Sequence, residues 1–275
     1  MLKAKITCFA DEISQDLEEQ LDVLQQEGIS YIELRNVWGK NVLELNDEEL
    51  SSIHQILKER GFQVSSIASP IGKYPVAEEF GPQVQAVQKA IHAAHVLGTP
   101  YIRIFSYHPP ENADLDTCRD EVLRRMKQLA EIAEQNNFVL ILENDNNLYG
   151  TTDERCLEIL QHCASDSLRM AFDPGNFVKN DIKPMQDAYP KLQAYTDYIH
   201  IKDATFEPKL FVPAGAGDGE VDALLLSLKE RGYDGFLSVE PHLQHYMPHA
   251  SNPKRVVTAV RALKQLLERA EYQWE

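Results

Sequence analysis

The chain lacks any pair of cysteines spaced like a metal or redox motif. Cys8, Cys118, Cys156 and Cys163 are scattered through 275 residues with no C-x-x-C among them. Cys156 and Cys163, seven apart on one helical pattern, are too distant for a disulfide. All four read as reduced, mostly buried thiols of a reducing compartment. Long apolar runs are missing too. No stretch approaches membrane-spanning length, and the opening Met1-Leu2-Lys3-Ala4-Lys5 lacks the apolar core of a signal peptide, so no membrane association and a cytoplasmic location are expected. Positive charge is scarce, with 27 Lys and Arg against 43 Asp and Glu, a net charge of −16 and no basic run. Such a surface repels a phosphate backbone, which argues against a nucleic-acid partner. Solubility is the simplest use of this charge, and it also suits a cation. No G-x-G-x-x-G follows the first strand, so an open dinucleotide-binding sheet has no support.

What is present is alternation. Strand-like runs fall at Lys5–Phe9, Tyr31–Leu34, Gln63–Ala68, Tyr101–Phe105, Val139–Glu143, Arg169–Asp173, Tyr198–Lys202 and Phe236–Glu240. Helical patterns lie between them at Asp16–Glu27, Asp47–Arg60, Gly81–Leu97, Leu115–Gln135, Asp153–Cys163, Met185–Thr196, Val221–Arg231 and Pro253–Tyr272, with apolar residues at helical spacing such as Leu50, Ile53, Ile56 and Leu57. Asn46 before Asp47-Glu48-Glu49 reads as a cap followed by an acidic first turn. Thr151 and Glu154 have capping-box spacing, and Asn252 precedes Pro253 as a cap precedes an N1 proline. Gly28, Gly61, Gly98 and Gly232 each end a helix. Eight strands in strict β-α alternation imply a parallel sheet closed into a TIM (β/α)8 barrel, and 275 residues of ordinary globular composition suit one such domain over 1–275. The long loop from Phe206 to Glu220, rich in Pro and Gly, is expected over the barrel mouth.

The last four strands each end in a metal-ligating residue: Glu143, Asp173, His200 and Glu240. Side chains alternate along a strand, so Glu143 inward also turns Val139 and Ile141 inward and sends Leu140 and Leu142 to the helices. The same parity turns Lys202 inward with His200, and Ser238 and His242 inward with Glu240. The C-terminal face of the strands is where barrel sites are built. Three carboxylates and an imidazole suit one divalent ion, Mn²⁺, Mg²⁺ or Co²⁺, with Zn²⁺ also accommodated. An isolated glutamate at a strand end reads more simply as a helix cap or an ion-pair partner. Four ligating residues in four consecutive strands fit that simpler reading poorly.

These residues stand in the contexts Ile-Leu-Glu-Asn, Phe-Asp-Pro-Gly-Asn, His-Ile-Lys-Asp-Ala and Ser-Val-Glu-Pro. In those contexts the chain resembles the xylose isomerase-like TIM-barrel superfamily, nearest to its sugar phosphate isomerase/epimerase group, with ketose 3-epimerases, hydroxypyruvate isomerase and inosose dehydratase. His-x-Lys-Asp is the most specific piece. The resemblance implies that Glu143, Asp173, His200 and Glu240 bind one metal and that members pair into dimers. It also implies a sugar isomerase or epimerase acting on a small sugar or polyol through a metal-stabilised cis-enediolate, with Glu143 and Glu240 as the flanking catalytic pair. The chain departs from the ketose 3-epimerase pattern in two places. Asn176 stands where those enzymes carry a histidine, and Phe206 where they carry an arginine. Lys202 is the cation available in its stead, and His-x-Lys is shared with inosose dehydratase-like members, which keeps a dehydratase as the alternative.

Asn176, Lys202, Arg103, His108 and Trp38 are the candidate substrate contacts. Glu33, Arg35 and Arg103 interrupt apolar runs and are expected inside the barrel, Arg103 paired with Glu33. Phe9 and Trp38 are candidates for an apolar wall, with a core role as the competing reading. His242 is a candidate support for Glu240. The Gly215–Gly219 loop lies where barrels often hold phosphate, yet no basic cluster accompanies it, which favours a substrate without phosphate. An endonuclease IV-like hydrolase needs more ligand histidines and a basic face, and strand three ends Ala68-Ser69-Pro70. A catalytically silent barrel has no use for two flanking glutamates.

Overall fold

The computed structural model describes residues 3–111 and 114–275; Met1 and Leu2, part of the amino-terminal reading above, lie outside the described residues. Eight parallel strands form the sheet: β1 (Lys5–Cys8), β2 (Tyr31–Leu34), β3 (Gln63–Ala68), β4 (Tyr101–Ile104), β5 (Val139–Glu143), β6 (Leu168–Phe172), β7 (Thr196–Ile201) and β8 (Phe236–Val239). Their order is β1-β8-β7-β6-β5-β4-β3-β2, and a parallel bridge from Phe9 to Glu33 brings β1 against β2 and closes the ring. The helices are α1 (Leu17–Gln26), α2 (Asp47–Arg60), α3 (Gly81–Leu97), α4 (Arg119–Gln135), α5 (Asp153–Cys163), α6 (Pro174–Lys179), α7 (Tyr189–Leu192), α8 (Val221–Glu230) and α9 (Asn252–Arg269). None is long and apolar enough to cross a membrane. All four cysteines are buried and unpaired.

Strand parity separates two apolar layers. Leu140, Leu142, Ile199, Ile201, Leu237 and Val239 pack outward with the helices. Ile141, Ala171 and Tyr198, with Tyr101, Val139 and Phe236 against them, form a small plug inside the ring. Above that plug the interior turns polar. Thr7 and Ser65 hydroxyls are 2.8 Å apart, Tyr198 Oη donates to Glu33 Oε2 at 2.9 Å, and Ser238 Oγ donates to the same oxygen at 2.6 Å. A closed small barrel must fill its interior with side chains, and polar ones require mutual hydrogen bonds.

The start and stop chemistry is partly as read. Asn46 caps α2 in a reciprocal box with Glu49, and Gly61 and Gly98 end α2 and α3 in the left-handed region. Three readings need correction. The cap of α5 is Thr152, whose side chain accepts from Arg155 N, and the Thr151 hydroxyl instead accepts from Leu148 N in the preceding turn. The cap of α9 is Ser251, one residue before Asn252. The expected helix over Met185–Thr196 is broken into a π turn at Pro184–Ala188, the short α7 and a 3-10 turn at Gln193–Tyr195, because Pro190 removes a backbone donor in mid-segment. Two short antiparallel ladders, Asn36–Val37 with Lys40–Asn41 and Asp203–Ala204 with Phe211–Val212, lie in the loops after β2 and β7. The corrected cap has a direct consequence. Ser251→Ala is expected to lower stability by about 0.5–2 kcal/mol, and Asn252→Ala by no more than about 0.5 kcal/mol. Urea unfolding of the two variants checks this, and the reverse order contradicts it.

Candidate metal centre

Register explains how four strands deliver four side chains to one point. Glu143 on β5 is level with Ala171 on β6, Ala171 with Tyr198 on β7, and Tyr198 with Phe236 on β8. Asp173 and His200 stand two residues beyond that level and Glu240 four. Even offsets keep all of them on the inner face, and the climb follows the stagger that strand tilt imposes on a barrel. One ligand atom from each of Glu143, Asp173, His200 and Glu240 lies within 4.8 Å of every other, and all four residues are buried. Asp173 does double duty: its Oδ1 caps α6 by accepting from Asn176 N at 2.8 Å, which leaves Oδ2 facing the cluster. The helix α6 escapes sequence reading because Pro-Gly-Asn looks like a turn. The signal was the Asp-Pro pair, a cap followed by an N1 proline.

Each glutamate is held by an arginine on one oxygen. Glu143 Oε2 accepts from Arg103 Nη1 at 3.1 Å, and Glu240 Oε1 from Arg35 Nη1 at 2.8 Å. Arg103 therefore pairs with Glu143 and not, as its sequence position suggested, with Glu33. Glu33 sits deeper and takes Tyr198 and Ser238 as partners, with its Oε2 3.5 Å from His200 Nε2. His200 Nδ1 is 3.2 Å from Glu143 Oε1, so the ring stands between two carboxylates. The Phe9 ring meets it edge-on at 5.3 Å, with the Arg35 and Arg103 guanidinium groups 4.7 and 5.2 Å from its own centre. Phe9 is thus fully buried wall beneath the cluster.

The Lys202 ammonium lies among the carboxylates, 2.5 Å from Glu240 Oε2, 3.0 Å from Asp173 Oδ2 and 3.9 Å from Glu143 Oε1. These are charge contacts without hydrogen-bond geometry: Asp173 Oδ2, Glu240 Oε2 and both ring nitrogens of His200 have no hydrogen-bond partner. Buried acceptors are almost always satisfied, so Asp173 Oδ2 and Glu240 Oε2, left open in a cluster whose ligand atoms lie within 4.8 Å of one another, make this a place that could hold a cation. Charge balance agrees. Asp11, Glu12, Glu33, Glu143, Asp173 and Glu240 face the permanent cations Arg35, Arg103 and Lys202, which leaves an excess of negative charge even with His200 and His242 protonated. The residues present fit a divalent ion.

Burial and neighbouring charge together set the titration of the site. Burial acts first to raise Glu143, but His200 and Arg103 outweigh it and hold the carboxyl down at about 2. Burial likewise opposes ionisation of Glu240, which Lys202, His242 and Arg35 keep well below the usual range. Asp173 goes the other way, up to about 6, because burial and the neighbouring Glu143 exceed the relief from Lys202. Burial would neutralise His200 and Lys202, yet the surrounding carboxylates raise both, His200 to about 10.

Around this core the remaining candidates divide. Asn176 Nδ2 donates to Asn144 O at 2.9 Å and to Glu143 Oε1 at 3.3 Å, so it touches the cluster. His242 Nε2 is 3.1 Å from Glu240 Oε1 and 3.2 Å from Glu12 Oε1. Glu12, Glu240 and His242 form a second close group, but there Arg35 already supplies the cation, 2.8 Å from Glu240 and 3.7 Å from Glu12. Trp38, on the turn of the ladder after β2, is 37% exposed, and His108 bonds Asn147 O at 2.9 Å on the loop after β4. Neither forms a hydrogen bond, ion pair or ring contact with the four ligating residues. Asp11 and Glu12 went unread, although an Asp-Glu pair just past a first strand of a barrel stands at the functional end.

The fold and site together define a parallel (β/α)8 barrel with a buried carboxylate–imidazole cluster, one that could hold a metal ion, at the C-terminal end of its strands. The sequence matches the xylose isomerase-like TIM barrel family over residues 21–266, and the chain belongs to that family. It is 25% identical over 247 residues to a probable L-ribulose-5-phosphate 3-epimerase, UlaE, of Mycoplasma pneumoniae, covering 85% of this chain and 76% of the relative. Among solved structures it is similar to the probable 3-DHS dehydratase AsbF of Bacillus anthracis, with a TM-score of 0.76 and 16% identity over 95% of this chain and 98% of that one. It is also similar to the IOLI protein with a binding zinc atom, with a TM-score of 0.77 and 18% identity over 97% of this chain and 99% of that one.

The ion pairs in this cluster have a measurable weight. Arg103→Leu leaves Glu143 charged and buried without its guanidinium, and breaking a buried pair this way is expected to lower stability by about 3–5 kcal/mol. Urea unfolding in EDTA measures it, and a loss under about 1 kcal/mol contradicts the arrangement.

Proposed function

We propose that the protein is a divalent-metal-dependent sugar isomerase or epimerase in which Glu143 and Glu240 move protons at the carbons beside a ketose carbonyl. The observation that carries this reading is the pair of buried glutamates on β5 and at the end of β8. Each is anchored by an arginine through one oxygen and directs the other into the shared cluster. Glu143, Asp173, His200 and Glu240 would hold the ion, which supplies a Lewis acid for a carbonyl and its adjacent hydroxyl. The zinc named for the IOLI protein supports such an ion, and the epimerase named for the Mycoplasma relative supports the reaction class.

The residues divide the work as follows. Glu143 and Glu240 are ionised in the resting site, so either can accept a proton from carbon. The same glutamate can hand that proton to the neighbouring carbon, while the other, once it has drawn a proton from a substrate hydroxyl or water, can deliver it to the opposite face of the original carbon. Delivery to the opposite face of the same carbon is epimerisation, and transfer to the neighbouring carbon is isomerisation. Asn176, a neutral amide, can bind a hydroxyl but cannot act as an acid. Lys202 remains cationic and meets negative charge that develops on a substrate oxygen. Closed packing around these groups excludes water and strengthens each of these interactions.

A dehydratase is the second reading, and Lys202 favours it. An ammonium beside Glu240 can give its proton to a departing hydroxyl, which turns the same first proton abstraction into loss of water.

Incubation of manganese-loaded protein in D₂O with a panel of ketoses and inososes, followed by NMR, separates these readings. Carbon-bound hydrogen exchange without loss of water is expected, with Glu143→Gln or Glu240→Gln lowering it by about 10²–10⁴-fold. A new enone absorbance indicates the dehydratase. Exchange that persists in both variants, or no exchange with any candidate despite bound metal, contradicts the proposal. Stripping the ion with EDTA is expected to abolish exchange and lower the melting temperature, and unchanged values for both contradict metal dependence.

A further inference from the structure

The Gly215–Gly219 segment occupies the position after β7 where barrels often cradle a phosphate on backbone N–H groups. Here the chain supplies its own anion. Asp203 is 1% exposed. Its Oδ2 accepts from Gly215 N at 2.8 Å and Gly217 N at 3.0 Å, and its Oδ1 from Gly219 N and Ala204 N, both at 2.8 Å. Four N–H donors on one carboxylate fill its acceptor sites. The glycines follow from this closeness: a Cβ on Gly217 or Gly219 would stand 2.5 or 2.6 Å from Asp203 Oδ1.

The loop wrapped around this carboxylate is tied at several points. Its arms pair as the ladder between Asp203–Ala204 and Phe211–Val212, and Asp218 accepts from Phe206 N at 2.7 Å. Its tip is clasped to the end of α6, where Lys179 Nζ donates to Lys209 O at 2.6 Å and Lys209 Nζ to Lys179 O at 3.1 Å. What it carries is Phe211. That ring centre is 5.4 Å from Lys202 Nζ and 5.4 Å from the His242 ring, which it meets edge-on. Lys202 and His242 are the two groups that touch Glu240 from this side.

We propose that Asp203 is a positioning residue that fills the anion nest of this loop and thereby fixes Phe211 as an apolar roof over the Lys202–Glu240 side of the site. It follows that the site selects sugars with no phosphate or carboxylate at the end facing the loop. The nest-filling rests on the geometry alone, and the sugar preference rests on the proposed function.

Melting of the full-length chain tests the first part. Asp203→Gly empties the nest and is expected to lower the melting temperature by on the order of 5–10 °C. Sodium formate or inorganic phosphate should restore part of that loss in the variant but not raise the wild type, with sodium chloride at equal ionic strength as control. A variant that melts with the wild type, or anions that shift both equally, overturns the proposal. If Asp203→Gly does not fold, hydrogen exchange of the wild type decides: slow exchange at Gly217 and Gly219 is expected, and exchange at the rate of exposed loop amides overturns it. For the second part, Phe211→Ala should raise KM by about tenfold with a smaller change in kcat. The wild type should favour an unphosphorylated sugar over its terminal phosphate, and Asp203→Gly should narrow that preference. An unchanged KM in Phe211→Ala or a wild-type preference for the phosphate overturns the roof. If no sugar reacts at all, the proposed function fails, while melting and exchange still judge Asp203.

Discussion

Crowding of negative charge inside the barrel is the constraint on which the rest depends. Glu143, Asp173 and Glu240, each at most 3% exposed, converge on the same few ångströms, with Glu33 one layer below. Ionised groups out of water are tolerated only with paired charge and hydrogen bonds around them. The chain meets this in two ways. Arg35 and Arg103 lock one oxygen of each glutamate, and Lys202 reaches up from β7 into the centre. The cations on hand do not balance the carboxylates, and Asp173, raised by burial and by the neighbouring Glu143, ionises only near 6. A divalent ion held by Glu143, Asp173, His200 and Glu240 would offset that charge. On this view the metal centre and the stability of the barrel top are one electrostatic problem.

The same crowding shapes the neighbouring loops. Asp173 spends one oxygen on the first turn of α6 and keeps the other for the cluster, so the helix start and the site share a residue. Three residues beyond His200, Asp203 is kept out of the cluster by four backbone donors of its own. Two carboxylates close in sequence space to the same strand ends therefore serve opposite purposes, one open toward a cation and one sealed within a loop. Phe211 joins the two, since the loop sealed by Asp203 brings its ring against Lys202.

Much of the fold and the cluster was legible in the chain, for a local reason. Runs such as Val-Leu-Ile-Leu-Glu and Phe-Leu-Ser-Val-Glu end their apolar pattern on a charge, and alternation along the strand settles which face that charge takes. Long-range choices were less legible. Arg103 had two carboxylates available inside the ring, and the tilt that lifts each successive strand decided for Glu143, something no single strand records. The cap of α5 fell to Thr152 and not Thr151 because adjacent hydroxyls differ only in the turn each joins. The absence of a basic cluster already argued against phosphate at the Gly215–Gly219 loop, but the anion its donors hold, Asp203, went unseen because it lies on the far side of a twelve-residue excursion beginning at β7.

The most direct test is anomalous diffraction at the manganese edge from crystals grown with Mn²⁺. The account expects a single peak at ligand distance from Glu143, Asp173, His200 and Glu240, with the Lys202 ammonium moved off the point it shares with those carboxylates. A cluster without a peak, with Lys202 still seated between Asp173 and Glu240, would contradict it.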